Sequence, residues 1–250
     1  MANIVRSAKS GSDWTRTELD SYHITIHQVD HLLFFGLQEL PQPVIDQELL
    51  NILDADTMQQ DRNAELIGLL DLAMIPDKGE TAVDDFAVEL FKVLGYVRRL
   101  RLARTRVDLP LLICGEERHA KTDVCIVDRS QNDILLLVQK DKRLQQLEPV
   151  NARAQLVAEA VAAFNENNAQ RESMGLPPLV SKVMAGIIPV TQTLSDHIAH
   201  GTYPPAETQV TYCYPSVPRP ARRRSEGMKP LDNRREMLKC YEAFKAIVGI

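Results

Sequence analysis

Several signatures of common protein classes are absent from this sequence. Its four cysteines, Cys114, Cys125, Cys213 and Cys240, include no C-x-x-C pair, which argues against a zinc site and favours reduced, buried thiols. No apolar run approaches the ~20 residues of a membrane-spanning helix. The first ten residues lack the apolar segment of a secretory signal. We therefore expect a cytoplasmic or nuclear protein that is not secreted by a signal peptide and has no membrane partner.

Motifs of several enzyme classes are also absent. The chain has no G-x-S-x-G nucleophile elbow, no G-x-x-x-x-G-K phosphate loop, no G-x-G-x-x-G dinucleotide loop and no H-E-x-x-H zinc motif. Aromatic residues form only 5% of the chain, and Trp14 is the one tryptophan. A dedicated binder of single-stranded nucleic acid is thereby disfavoured, because such proteins stack bases on aromatic rings.

Positive charge is scarce overall but locally concentrated. The formal net charge is −5, yet five arginines fall within residues 98–106 and four within residues 219–224. Such clusters can bind phosphates even on an acidic chain; the alternative is a solvated face with carboxylate partners. Both interpretations stay open. The candidate nucleic-acid-binding residues are Arg98, Arg99, Arg101, Arg222, Arg223 and Arg224.

Apolar periodicity predicts an α/β protein with a helical N-terminal part over residues 1–78 and a core over residues 79–250. A capping-box spacing at Thr81 and Asp84 starts a helix that Gly95 ends. Strands are predicted at 109–115, 122–128, 134–140, 180–191 and 210–214, and helices at 151–165 and 234–248. The polar turn 129–133 joins two of these strands into a hairpin.

The hairpin carries an acid on its first strand and is followed by a lysine, an order that has a known use in metal-dependent enzymes. Asp123 lies on its first strand, and Lys142 follows its second. Metal-dependent phosphodiester hydrolases of the PD-(D/E)XK type are built on that arrangement. Their reaction needs one or two Mg²⁺ ions held by carboxylate oxygens. Asp123 is thus the natural central metal ligand, and Lys142 suits a role in orienting the attacking water.

A further acid is expected from the preceding helix. Glu80 lies three residues before Val83 and seven before Ala87, on the apolar stripe. Glu89 lies about half a turn from that stripe and should face water. We therefore choose Glu80 as the second metal ligand; the alternative is a helix N-terminal carboxylate stabilised by the helix dipole.

Several segments resemble known sequences. Residues 80–96 resemble the first helix of many PD-(D/E)XK proteins. Residues 135–142, 155–164, 201–204 and 226–234 resemble a group of uncharacterised proteins of mushroom-forming fungi with this predicted fold. The resemblance runs from about residue 12 onward. It implies a PD-(D/E)XK (restriction-endonuclease-like) core, in which a mixed sheet is flanked by helices, with a helical N-terminal extension. It also implies an intracellular nuclease-like hydrolase with magnesium, in which Glu80, Asp123 and Lys142 are site residues and Gln155 assists.

The third motif departs from the family pattern. That pattern is Gln-Glu-Asp-Lys, whereas this chain has Gln139-Lys140-Asp141-Lys142. Strand alternation places Lys140 on the face of Lys142, so a second ammonium replaces the motif carboxylate. Lys140 would remove a ligand, repel a metal and offer Asp123 an ion-pair partner. Asp141 would need a bulge or a register slip to substitute, and Glu116, Glu117 or Asp128 are the other acids considered.

Two functions therefore remain open from the sequence. One is a magnesium-dependent nuclease that Lys140 weakens or inactivates. The other is a catalytically inactive relative that binds nucleic acid or a protein partner.

Overall fold

The computed structural model describes residues 6–75, 80–130, 133–138, 149–184, 187–218 and 226–250. Contacts between Cα atoms group the chain into two compact units. We call residues up to 27 together with 100–212 the strand unit, and residues 28–99 together with 213–250 the helical unit. The boundary predicted between residues 78 and 79 falls inside the helical unit.

The described chain contains both helices and strands, partly in runs of one kind. The helices are α1 (Arg16–Ser21), α2 (His31–Phe35), α3 (Gln47–Asn51), α4 (Asp61–Met74), α5 (Glu80–Val93), α6 (Pro149–Ser173), α7 (Gln192–His200) and α8 (Leu231–Ile247). The strands are β1 (Ile24–Gln28), β2 (Arg101–Ile113), β3 (Glu116–Asp128), β4 (Asp133–Val138), β5 (Ser181–Met184), β6 (Ile188–Thr191) and β7 (Thr208–Tyr212). The prediction of an α/β protein is confirmed.

The strand unit is organised around an antiparallel sheet in the order β2-β3-β4. Short turns join its neighbouring strands, as antiparallel pairing allows. Strands β5 and β6 form a separate hairpin, and β1 pairs with β7. Strand β1 corrects the prediction of a helical N-terminal part, and its pairing with β7 was not predicted. Local periodicity could not reveal it, because the partner of β1 lies about 180 residues away in the sequence.

Helix α6 packs on all three strands of this sheet. Its side chains Ala154, Val157, Ala158, Val161 and Phe164 are completely buried. Small alanine side chains let the helix approach the sheet closely. The backbone of Gly11 lies against Ala120 on β3 and Ala158 on α6. A Cβ atom at residue 11 would come within 2.8 Å of the Ala120 Cβ atom.

The outer edge of β4 is held by side chains from two other elements. The Asn167 side chain on α6 accepts a hydrogen bond from the Ile134 N–H at 2.7 Å and donates one to the Ile134 carbonyl at 3.1 Å. Lys182 on β5 forms an ion pair with Asp133 at 3.2 Å. The amide of Asn167 thus replaces the next strand that the edge of β4 would otherwise need.

In the helical unit, α4 packs on α5, and α2 and α3 pack on α8. The predicted helix at 81–94 is confirmed as α5, and Gly95 follows it with the left-handed φ of 79° expected of a residue that ends a helix. Thr81 lies inside α5 rather than capping it. Arg234 on α8 is 2% exposed, and its guanidinium donates hydrogen bonds to five backbone carbonyls.

Among the helices that the structure describes, none has both the length and the apolar character needed to span a bilayer.

Candidate functional site

Asp123 lies where the environment of β3 changes. From Glu116 to Lys121 the strand is mainly exposed, with Ala120 as its buried position, whereas Val124 to Val127 are all buried. The Asp123 side chain is half-buried between these two stretches. A carboxylate in this position is reachable from solvent while it borders the protein interior.

The residue opposite Asp123 on β2 has an unusual backbone. Thr105 pairs with Val124 and Val107 pairs with Thr122, so the register sets Arg106 opposite Asp123. Arg106 has a φ of 54°, in the left-handed region that residues other than glycine rarely adopt. The strand therefore has a local kink directly beside the candidate catalytic aspartate.

Both faces of β3 become buried after Asp123. Ala120 and Thr122 are buried on one side of the strand, whereas the residues from Val124 to Val127 are buried in succession. Successive residues of a strand point to opposite faces, so β3 is covered on both sides beyond Asp123.

Helix α6 places two polar side chains near this part of the sheet. Gln155 is 5% exposed, and its Nε2 donates to the Ser12 carbonyl at 2.6 Å. Glu159, one helical turn later, is 3% exposed. Burial raises the pKa of the Cys125 thiol to about 11, and the nearby Glu159 adds to that increase. Cys125 therefore stays protonated at neutral pH and is unsuited to act as a nucleophile.

Two of the acids considered as replacements for the motif carboxylate have local roles. Asp128 Oδ1 accepts hydrogen bonds from the Ser130 N–H and hydroxyl at 2.8 and 2.7 Å, which lower the pKa of Asp128. Glu116 forms an ion pair with Arg118 at 2.6 Å. Glu116 also lies seven residues from Asp123, about 23 Å along an extended strand. Glu117 is exposed at the same end of β3.

The other predicted site residues fall in three groups. Glu80 begins α5 in the helical unit, but its side chain lies outside the described residues, as do Lys140 and Lys142. Arg222, Arg223 and Arg224 also lie outside them. Arg98 and Arg99 are exposed in the helical unit, and Arg101 begins β2 in the strand unit. The described structure thus places Asp123 and Gln155 in one unit.

A magnesium ion bound by Asp123 would need further oxygen ligands close to that carboxylate. Within the described residues, no three His, Cys, Asp or Glu side chains are grouped so that they could hold a metal ion. Magnesium prefers octahedral oxygen coordination. Asp123 and its described neighbours do not by themselves provide such a donor set, and the metal site formed by Asp123 and Glu80 stays a prediction.

Three acidic side chains are more buried than the sequence led us to expect. Glu89 was expected to face water, but its side chain is 13% exposed and forms ion pairs with Arg62 on α4 and Lys92. The expectation was wrong because α4 packs against α5 on that side. Asp84 and Glu159 are buried acids that the sequence reasoning did not select. Asp84 lies one turn after Glu80, and Glu159 interrupts an alanine-rich apolar run, so both carried a detectable signal.

Comparison of the chain with protein-family models, curated protein sequences and solved structures found no match.

Proposed function

We propose that this chain is a PD-(D/E)XK-like protein that binds nucleic acid at the Asp123 site and whose metal-dependent phosphodiester hydrolysis is weakened or lost. The observation that carries the proposal is the position of Asp123, half-buried on the middle strand of a three-stranded antiparallel sheet and opposite Arg106. The order of elements from α5 through the sheet to α6 and β5 is compatible with that fold.

The substitution at Lys140 is the reason to expect weak hydrolysis. Cleavage of a phosphodiester develops negative charge in the transition state, which divalent cations stabilise when carboxylates hold them. A lysine in place of a carboxylate removes one such ligand and repels the metal. The same positive charge attracts a phosphate. Binding of nucleic acid is therefore expected to persist where cleavage does not.

Cleavage of labelled DNA and RNA in Mg²⁺ or Mn²⁺ tests the catalytic part of this proposal. We expect little cleavage by the wild type and metal-dependent cleavage by the Lys140→Glu variant. Adding Asp123→Asn to Lys140→Glu should abolish the gained activity, which provides the matched control. Efficient cleavage by the wild type would show that Lys140 does not impair the site.

Metal and nucleic-acid binding can be measured apart from activity. Mg²⁺ should raise the melting temperature of Lys140→Glu more than that of the wild type, because ligand binding stabilises the folded state. Gel-shift titrations at increasing salt should show binding that weakens steeply, as phosphate contacts require. Absence of nucleic-acid binding at low salt would instead favour the alternative, an inactive relative that binds a protein.

A further inference from the structure

Arg106 has a left-handed backbone conformation in the middle of strand β2, where extended backbone is expected. Residues other than glycine are strained in this conformation, and such strain often marks a functional position. The register continues through it without an inserted residue, since Thr105 and Val107 both keep their partners on β3. Arg106 is thus not the extra residue of a β-bulge.

Arg106 is one of three exposed cations on this part of the sheet. Arg104 precedes it on β2, and Lys121 lies on β3 two residues before Asp123. All three side chains are exposed. Within residues 104–108 and 121–125 they outnumber the two carboxylates, those of Asp108 and Asp123. We call Arg104, Arg106 and Lys121 the basic patch.

Acidic side chains lie both beside the basic patch and at the hairpin end of the two strands. Asp108 lies opposite Lys121 and contacts His119 at 3.1 Å, whereas Glu116 lies at the hairpin end and pairs with Arg118. Glu117 is exposed there as well. With Asp108 and Asp123 included, the basic patch keeps an excess of positive charge, and a polyanion would be attracted to it.

The composition of the two strands indicates which polyanion fits. Residues 101–128 contain no phenylalanine, tyrosine or tryptophan. Proteins that bind single strands stack unpaired bases on aromatic rings. A surface with cations and without such rings is suited to the sugar-phosphate backbone of a duplex, in which the bases are already stacked.

We infer that the basic patch binds backbone phosphates of a nucleic-acid duplex beside Asp123, and that the left-handed backbone of Arg106 positions its guanidinium for this contact. The inference rests on the proposed function and adds the residues and the form of nucleic acid to it. It assigns Arg104, Arg106 and Lys121 a binding role, whereas sequence reasoning selected other arginines.

Fluorescence anisotropy with a labelled DNA duplex, measured over a range of salt concentrations, tests the inference. The variant that combines Arg104→Gln, Arg106→Gln and Lys121→Gln should bind at least about tenfold more weakly at low salt. The slope of log K against log salt should fall by about three, since each phosphate contact contributes about 0.9. Arg16→Gln is the matched control, because Arg16 is an exposed cation of the same unit whose side chain is 76% accessible; it should bind as the wild type does.

Two single variants separate charge from backbone conformation. Arg106→Gly tolerates the left-handed φ, so its melting temperature should not fall below that of the wild type, while the salt slope should fall by about one. Arg106→Lys keeps the charge and should keep the slope. These variants also test the patch if the triple variant does not fold.

Other results would overturn the inference, and one of them would overturn the proposed function as well. Wild-type affinity and slope in both the triple variant and Arg106→Gly would overturn the inference and leave the proposed function standing. Tighter binding of single strands than of duplex, or equal competition by polyglutamate, would also overturn it. If the wild type binds no nucleic acid, the proposed function fails as well.

Discussion

Replacing Asn167 by alanine should destabilise the strand unit strongly. Asn167 is completely buried, and its amide forms hydrogen bonds with both backbone groups of Ile134 on the edge strand β4. Alanine would leave the Ile134 N–H buried without this partner, which costs about 1–3 kcal/mol. The Ile134 carbonyl would keep only Lys182 Nζ at 3.5 Å. The void left by the amide adds about 1 kcal/mol, so we expect a total loss of about 3 kcal/mol.

The neighbouring residue provides a matched control. Asn168 forms the same pair of hydrogen bonds with Leu179, at 2.7 Å from the N–H and 3.1 Å to the carbonyl. Asn168 and Leu179 are only half-buried, so water can replace the amide. Asn168→Ala should therefore lower the free energy of unfolding by only about 1 kcal/mol.

Urea unfolding followed by tryptophan fluorescence measures both variants. Trp14 is the one tryptophan of the chain and is completely buried in the core of the strand unit. Its emission therefore reports on that unit. An equal loss of stability in Asn167→Ala and Asn168→Ala would refute the reasoning, because it would show that burial of the hydrogen-bonded amide does not determine the effect.

Two further predictions concern charged groups. Arg234→Lys should destabilise the helical unit by about 3 kcal/mol or more, since a lysine cannot donate to all five backbone carbonyls that the buried Arg234 contacts. Calorimetry of this variant and of the exposed Arg235→Lys, which should change little, checks it. Burial acts to raise the pKa of Glu18, but hydrogen bonds from Lys9 and Thr15 outweigh it and hold that pKa below its usual value. The stability that ionised Glu18 contributes is thus present above its unfolded pKa of about 4.3 and is lost as the pH falls through the lower folded value. Glu18→Gln should therefore melt below the wild type at neutral pH, and melting curves recorded down the pH scale should show the difference disappearing in acid; a constant difference would contradict the assignment.

Elements with a strong local pattern were predicted in place, although β3 begins at Glu116, well before the predicted start at residue 122. The apolar spacing of α5 and the glycine after it located that helix, and the apolar runs of β3 and β4 located two strands of the sheet. Predictions that depended on a distant partner fared worse. The pairing of β1 with β7 was not predicted because the two strands are far apart along the chain, and the expected exposure of Glu89 was wrong because α4 covers it.

The same difference between local and long-range signals holds for the candidate site. Asp123 was identified from its position in a predicted hairpin, and Lys140 as the departure from the motif needed only the order of residues. The left-handed φ of Arg106 had no local signal in the sequence. Gln155 was named from a resemblance, but its bond to Ser12 required the chain to fold back over α6.

Residue order alone predicted that the chain is α/β, which the structure confirms, and selected Asp123 and Lys140 as the residues on which the proposed site depends, because periodicity and residue order are local properties. Folding decided which acids are buried, how the edge of β4 is satisfied and where positive charge collects around Asp123. These features depend on side chains that meet only after residues far apart in the chain have packed together, and the free energy of such contacts is not contained in any short segment.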